Sequence, residues 1–107
     1  MRLIKRGDLL EVEYKSKGIR KVCTDASAAE RKYGIKMAVK IQQRIDEIQA
    51  ASSVEELIQY HIGRCHPLHH DREGQYAMDH VHPNRLVFTK KGNEIQIAYI
   101  TEIVDYH

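Results

Sequence analysis

Glu94-Ile95-Gln96-Ile97-Ala98-Tyr99-Ile100-Thr101-Glu102-Ile103-Val104 alternates like a β-strand and runs into Asp105-Tyr106-His107. Regular alternation puts Ile95, Ile97, Tyr99 and Ile103 on one face and Ala98, Ile100 and Val104 on the other. Apolar residues on both faces predict a central strand covered by helices on at least one side. The three residues that follow are all titratable, so this strand is expected to deliver chemical groups at its end.

Working backward, Lys90-Lys91-Gly92-Asn93 reads as a hairpin turn, and Arg85 to Lys90 and Gln75 to Val81 read as short strands separated by His82-Pro83-Asn84. Together they predict a three-stranded antiparallel meander. Near the start, Asp8 to Tyr14 places Leu10, Val12 and Tyr14 on one face and Glu11 and Glu13 on the other, the pattern of a half-buried strand. Lys15 to Lys21, around Gly18, reads as a solvated, turn-like connection. An Ala-rich helix capped by Thr24 or Ser27 then runs to Tyr33 and stops at Gly34. A second helix, Ile35 to about Ala50, carries the core stripe Ala38, Ile41, Ile45 and Ile48. Ser53-Val54-Glu55-Glu56 has the form of a capping box opening one or two further turns. The expected fold is α+β: an N-terminal strand, an α-helical hairpin and the meander, in a single domain spanning residues 1 to 107.

The chain has 107 residues, 42% of them hydrophobic, enough for one thin core. Its net charge of +2 is polarised, with 12 Lys/Arg against 7 Asp/Glu in residues 1 to 50 and 5 against 8 in the remainder. Such polarity suggests a polyanionic ligand, an acidic partner or a mixed solvated surface. No apolar run approaches a signal sequence or a membrane span, and Cys23 and Cys65 lack a paired spacing, so a cytoplasmic protein with reduced thiols is expected.

Seven histidines occur, six of them between His61 and His82. Cys65-His66 and His69-His70 have the right donors for zinc, but no second pair stands at a structural zinc spacing, and neither metal nor cofactor is expected. A basic stripe, Lys32, Lys36, Lys40 and Arg44, recurs every four residues. Like charges at that spacing repel by roughly a few tenths of a kcal/mol per pair. RNA phosphates or a partner's acids would offset that repulsion, although Glu47 also reaches Arg44 at i+3, and a solvated lysine face is the ordinary alternative.

Three stretches together carry a family resemblance: Arg64-Cys65-His66-Pro67-Leu68-His69-His70-Asp71-Arg72-Glu73-Gly74, the strand Asn84-Arg85-Leu86-Val87-Phe88, and the ending Asp105-Tyr106-His107. The ordered set resembles the RelE/ParE superfamily of bacterial toxins, in particular its HigB branch. Two positions depart from that pattern: His70 stands where Gly commonly precedes Asp-Arg, and Asn84 where many members have Trp. The resemblance implies a RelE-like fold and a ribosome-dependent messenger RNA endonuclease that acts against ribosomal RNA surroundings. It also implies silencing by a cognate antitoxin of acidic or helix-turn-helix, HigA-like type.

The residues suit such chemistry on their own terms. Metal-free RNA cleavage needs a base for the 2′-hydroxyl proton, an acid for the 5′-oxygen and a cation for charge building on the phosphoryl oxygens. An ordinary imidazole titrates near about 6.5 and serves as either acid or base. The expected catalytic set is therefore His66 and His107 as the acid/base pair, Arg85 as oxyanion stabiliser, Asp105 as orienting carboxylate, and Tyr106 as proton donor or stacking ring. Lys36, Lys40, Arg44, Arg72 and Tyr76 are the expected RNA contacts. Rival readings on the same fold are a gyrase-inhibiting, ParE-like toxin and a non-catalytic partner-binding subunit.

Overall fold

The computed structural model describes residues 9–81, 84–92 and 96–104. The expected Asp105, Tyr106 and His107 lie outside the described residues, as does His82.

The first strand, β1 (Glu11–Tyr14), is followed by α1 (Lys17–Thr24), α2 (Ala26–Tyr33), α3 (Ile35–Ala50) and α4 (Val54–Gln59). A 3-10 turn (Ile62–Arg64) leads into β2 (His66–Pro67), and another (His70–Arg72) into β3 (Gln75–Asp79). Then come β4 (Arg85–Lys91) and β5 (Ile97–Val104).

Helix α1 corrects the expectation of a solvated connection at Lys15 to Lys21. Ser16 caps it by accepting a hydrogen bond from the Ile19 N–H at 3.1 Å. Ile19, Val22 and Cys23 then turn toward the core at helical spacing, while Lys17, Arg20 and Lys21 stay in water. The basic residues masked a short amphipathic period. Helix α2 is capped by Asp25 rather than by Thr24 or Ser27: its carboxylate accepts from the Ser27 and Ala28 N–H groups. Gly34 does end α2, and α3 starts at the next residue. A φ of 89° and ψ of 167° there is a conformation open to glycine almost alone. The stripe Ala38, Ile41, Ile45 and Ile48 is buried as expected.

The meander forms from β3, β4 and β5, each pair antiparallel. Two edge strands extend it to a five-stranded mixed sheet of order β1-β5-β4-β3-β2, with β1 parallel to β5 and β2 antiparallel to β3. On one face Met78, Leu86, Phe88, Ala98 and Ile100 pack into the core shared with the helices. The opposite face presents half-exposed Gln75, Asp79, Arg85, Thr89, Tyr99 and Glu102 and is called the open face below.

Simple alternation fails in β5. Val87 pairs with Glu102 but Phe88 pairs with Ile100, which leaves Thr101 as the extra residue of a bulge. Beyond it the faces exchange, so Ile103 joins Ala98 and Ile100 against the core instead of sharing a face with Ile97 and Tyr99. The bulge therefore aims Glu102 onto the open face, opposite Val87.

Candidate active site on the open sheet face

One row of the sheet runs Glu102 (β5), Val87 (β4), Ala77 (β3) and His66 (β2). Its ends are three strand spacings apart, about 14 Å between backbones. Val87 and Ala77 are buried and make an apolar floor. The adjoining row carries Arg85 opposite both Asp79 and Val104.

His66 reaches this face through a run of unusual backbone. His61, Gly63 and Arg64 have φ values of 53°, 58° and 54°, all left-handed. The coil so formed presents the Arg64 carbonyl oxygen 2.6 Å from His66 Nδ1. A carbonyl oxygen only accepts, so Nδ1 carries the proton. In the neutral ring the lone pair is then on Nε2, the atom a general base would use.

Two guanidinium groups are held by carboxylates. Arg64 Nε lies 2.7 Å from Asp79 Oδ2, with the rest of the Arg64 side chain exposed. Arg72 donates to Gln75 Oε1 from Nη2 at 2.7 Å and from Nε at 3.1 Å, and also to the Glu102 carboxylate. Since Gln75 is on β3 and Glu102 on β5, Arg72 spans β4 above the Val87 floor. Arg85, half-buried, has no hydrogen-bond or ion-pair partner among the described residues, although Asp79 stands directly opposite it. With Arg64 paired to Asp79 and Arg72 to Glu102, Arg85 is left without a carboxylate partner among the described residues, on the same sheet face as the His66 imidazole and two strands from it. That combination can bind a phosphate and move a proton near it.

The 3-10 turn before β3 resolves one departure from the family pattern. His70 has a φ of 61°, the left-handed region that glycine enters freely, so the turn expected of Gly-Asp-Arg forms with a strained histidine in its first place. Asn84 closes the β3–β4 turn: its carbonyl accepts from the His80 N–H, and its side-chain amide lies 3.4 Å from Met37 Sδ.

Thus His66, Arg72 and Arg85 share the open face, and the other four expected RNA contacts do not. Tyr76 alternates onto the core side of β3, where its ring stacks on Phe88 with centroids 5.6 Å apart. Arg44 is a buried core residue whose Nε donates to the Asp79 carbonyl and whose Nη1 pairs with Glu47 at 2.7 Å. The physical reason is helical drift: a stride of four advances about 400°, so the stripe slides roughly 40° per step toward the buried side. Lys36 is exposed and Lys40 half-exposed on α3, across the molecule's helical layer from the open face. Arg64, Asp79, Gln75 and Glu102 were missed as site residues. For Asp79, Gln75 and Glu102 the legible signal is polar residues sharing one strand face, hidden for Glu102 by the bulge; Arg64 lies in the 3-10 turn before β2 and gives no such signal.

His80 is buried with neither ring nitrogen hydrogen-bonded. Burial, with Arg44 nearby, pushes its pKa down to about 4, which keeps it neutral at physiological pH. Among the described residues no three His, Cys, Asp or Glu side chains are grouped to hold a metal ion, and no helix is long and apolar enough to cross a membrane.

No protein-family model matches the sequence, and no characterised protein gives a significant sequence match. Solved structures do match. A YoeB/ParE toxin from Agrobacterium tumefaciens superposes with a TM-score of 0.63 at 13% identity, covering 92% of this chain and 100% of its own. The YoeB dimer from Staphylococcus aureus gives 0.60 at 19% identity, covering 92% and 98%. The chain therefore has the α+β fold of YoeB/ParE-type toxins.

Proposed function

We propose that this protein is the toxin of a type II toxin-antitoxin pair, of HigB type within the RelE/ParE superfamily, and that it cleaves messenger RNA on the ribosome in the cytoplasm. The observation that carries the reading is the meeting of His66, Arg85 and the carboxylate-held Arg64 and Arg72 on one open sheet face. The fold shared with YoeB/ParE toxins supports it.

In the proposed reaction, the RNA 2′-hydroxyl loses its proton to an imidazole and attacks the adjacent phosphorus. The bond to the 5′-oxygen breaks, and that oxygen takes a proton from the acid, leaving a 2′,3′-cyclic phosphate and a 5′-hydroxyl. His66, with Nε2 as its available lone pair, suits the base; His107 is the complementary acid. Arg85 stabilises the phosphoryl oxygens, and Arg64 and Arg72 hold flanking phosphates. Asp105 orients an imidazole, and Tyr106 donates a proton or stacks a base. Lys36 and Lys40 face ribosomal RNA. A helix-turn-helix, HigA-type antitoxin silences the toxin.

Mapping transcript ends after induction tests this reading: new cuts within translated frames are expected, and their absence contradicts it. The name YoeB/ParE borne by one structural neighbour keeps a gyrase-inhibiting activity as the second reading. A supercoiling assay with the purified protein decides between them.

A further inference from the structure

The open face carries a cation–aromatic pair that the reaction above does not use. Tyr99, half-exposed on β5, stands opposite Thr89 of β4 and Glu13 of β1. Lys91 Nζ sits 3.6 Å from the centre of its ring. The two adjacent lysines at the end of β4 diverge: Lys90 turns to the helical side and bonds Glu55 of α4 at 2.8 Å, whereas Lys91 is exposed and meets no carboxylate among the described residues.

An ammonium resting on an exposed ring is weakly held. A nucleobase stacks on such a ring more strongly and with little regard to sequence, because every base has a π-face. The displaced ammonium then becomes a phosphate ligand. Glu13, exposed beside the ring on β1, disfavours a phosphate on that side, so the base belongs over Tyr99 and the backbone over the Lys91 and Arg72 side. Tyr99 is three strand spacings from His66 in sheet order, about 14 Å across the strands, too far for the nucleotide being cut and suited to one that flanks it.

We propose that Tyr99 and Lys91 form a flanking-nucleotide subsite, in which the ring stacks one base of single-stranded RNA and the ammonium moves to that nucleotide's phosphate. The proposal rests on the reading of the open face as an RNA-cleaving site.

The test uses the full chain carrying His66→Ala, so that RNA survives, and fluorescent single-stranded oligoribonucleotides, intact or with one abasic position walked along the sequence. Dissociation constants are measured across a salt series. Tyr99→Ala and Tyr99→Leu should each weaken binding by about five- to a hundredfold, while Tyr99→Phe keeps it. One abasic position should weaken binding to the parent and cost nothing more in Tyr99→Ala. Lys91→Gln should flatten the salt dependence by about one phosphate contact. If Tyr99→Ala and Tyr99→Leu bind every oligonucleotide like the parent while Arg85→Ala loses binding, the subsite is overturned and the RNA reading stands. If neither binding by the parent nor cleavage by the unmodified protein is found, both fail together.

Discussion

The Arg64 carbonyl oxygen accepts a hydrogen bond from His66 Nδ1 at 2.6 Å, and the Arg64 side chain of the same residue pairs with Asp79 at 2.7 Å. One left-handed residue thus sets the tautomer of the candidate base and anchors a guanidinium beside it. His66→Ala should lower RNA cleavage by about 10²- to 10⁴-fold with little change in folding, since the ring is half-exposed. Cleavage on translating ribosomes, compared with a thermal melt, checks both halves of that expectation.

Arg44 should behave as a structural residue. Arg44→Ala removes the donor to the Asp79 carbonyl and takes away the Glu47 ion pair, leaving that carboxylate only its Gln43 hydrogen bond, at a cost of roughly 2–4 kcal/mol. Lys36→Ala should stay within about 0.5 kcal/mol. Chemical denaturation of the two variants measures the contrast; equal stabilities would restore Arg44 to an exposed stripe.

Gly63 packs against the same side chain. A Cβ built there meets Arg44 Nε at 2.7 Å and Cδ at 2.9 Å, and its φ of 58° is left-handed. Because Arg44 is buried and its guanidinium is bonded through both Nε and Nη1, it cannot swing aside, and Gly63→Ala should destabilise by about 1–3 kcal/mol. His70→Gly should do the reverse, gaining about 1 kcal/mol by relieving a φ of 61°. Both are read from denaturation midpoints at unchanged slope.

Stability should fall in mild acid because of His80. Its folded pKa, about 4, lies below the ordinary 6.5, so the unfolded chain binds the extra proton between those values. The contribution is complete above about pH 6.5 and is lost as pH falls toward 4, a loss of roughly 3 kcal/mol. Lys90 and Gln96 hold Glu55 down at about 2, which acts in a separate, more acidic window and is largely screened because the group is exposed. Denaturation at stepped pH, with His80→Phe as control, should show a slope between 4 and 6.5 that the variant lacks.

What could be read from sequence follows where local rules agree with tertiary packing. The α3 core stripe, the Gly34 stop and the β3–β4–β5 meander follow local patterns, the meander keeping its alternation up to the bulge at Thr101. The parallel pairing of β1 with β5 depends on long-range closure that no local pattern encodes. Helix α1 was hidden because its outer face holds the very residues that also make a solvated turn. At the site, His66, Arg72 and Arg85 were legible as residue types suited to phosphate chemistry. Glu102 was not, because a one-residue bulge decides its face, and Tyr76 was misassigned by counting residue type without counting alternation.

The most direct measurement is transcript-end mapping in translating cells after induction of the unmodified protein, of His66→Ala and of Arg85→Ala, with protein levels matched. The open-face site predicts cuts inside translated frames from the unmodified protein and a loss of at least about a hundredfold in each variant. Undiminished cutting by both variants would contradict it.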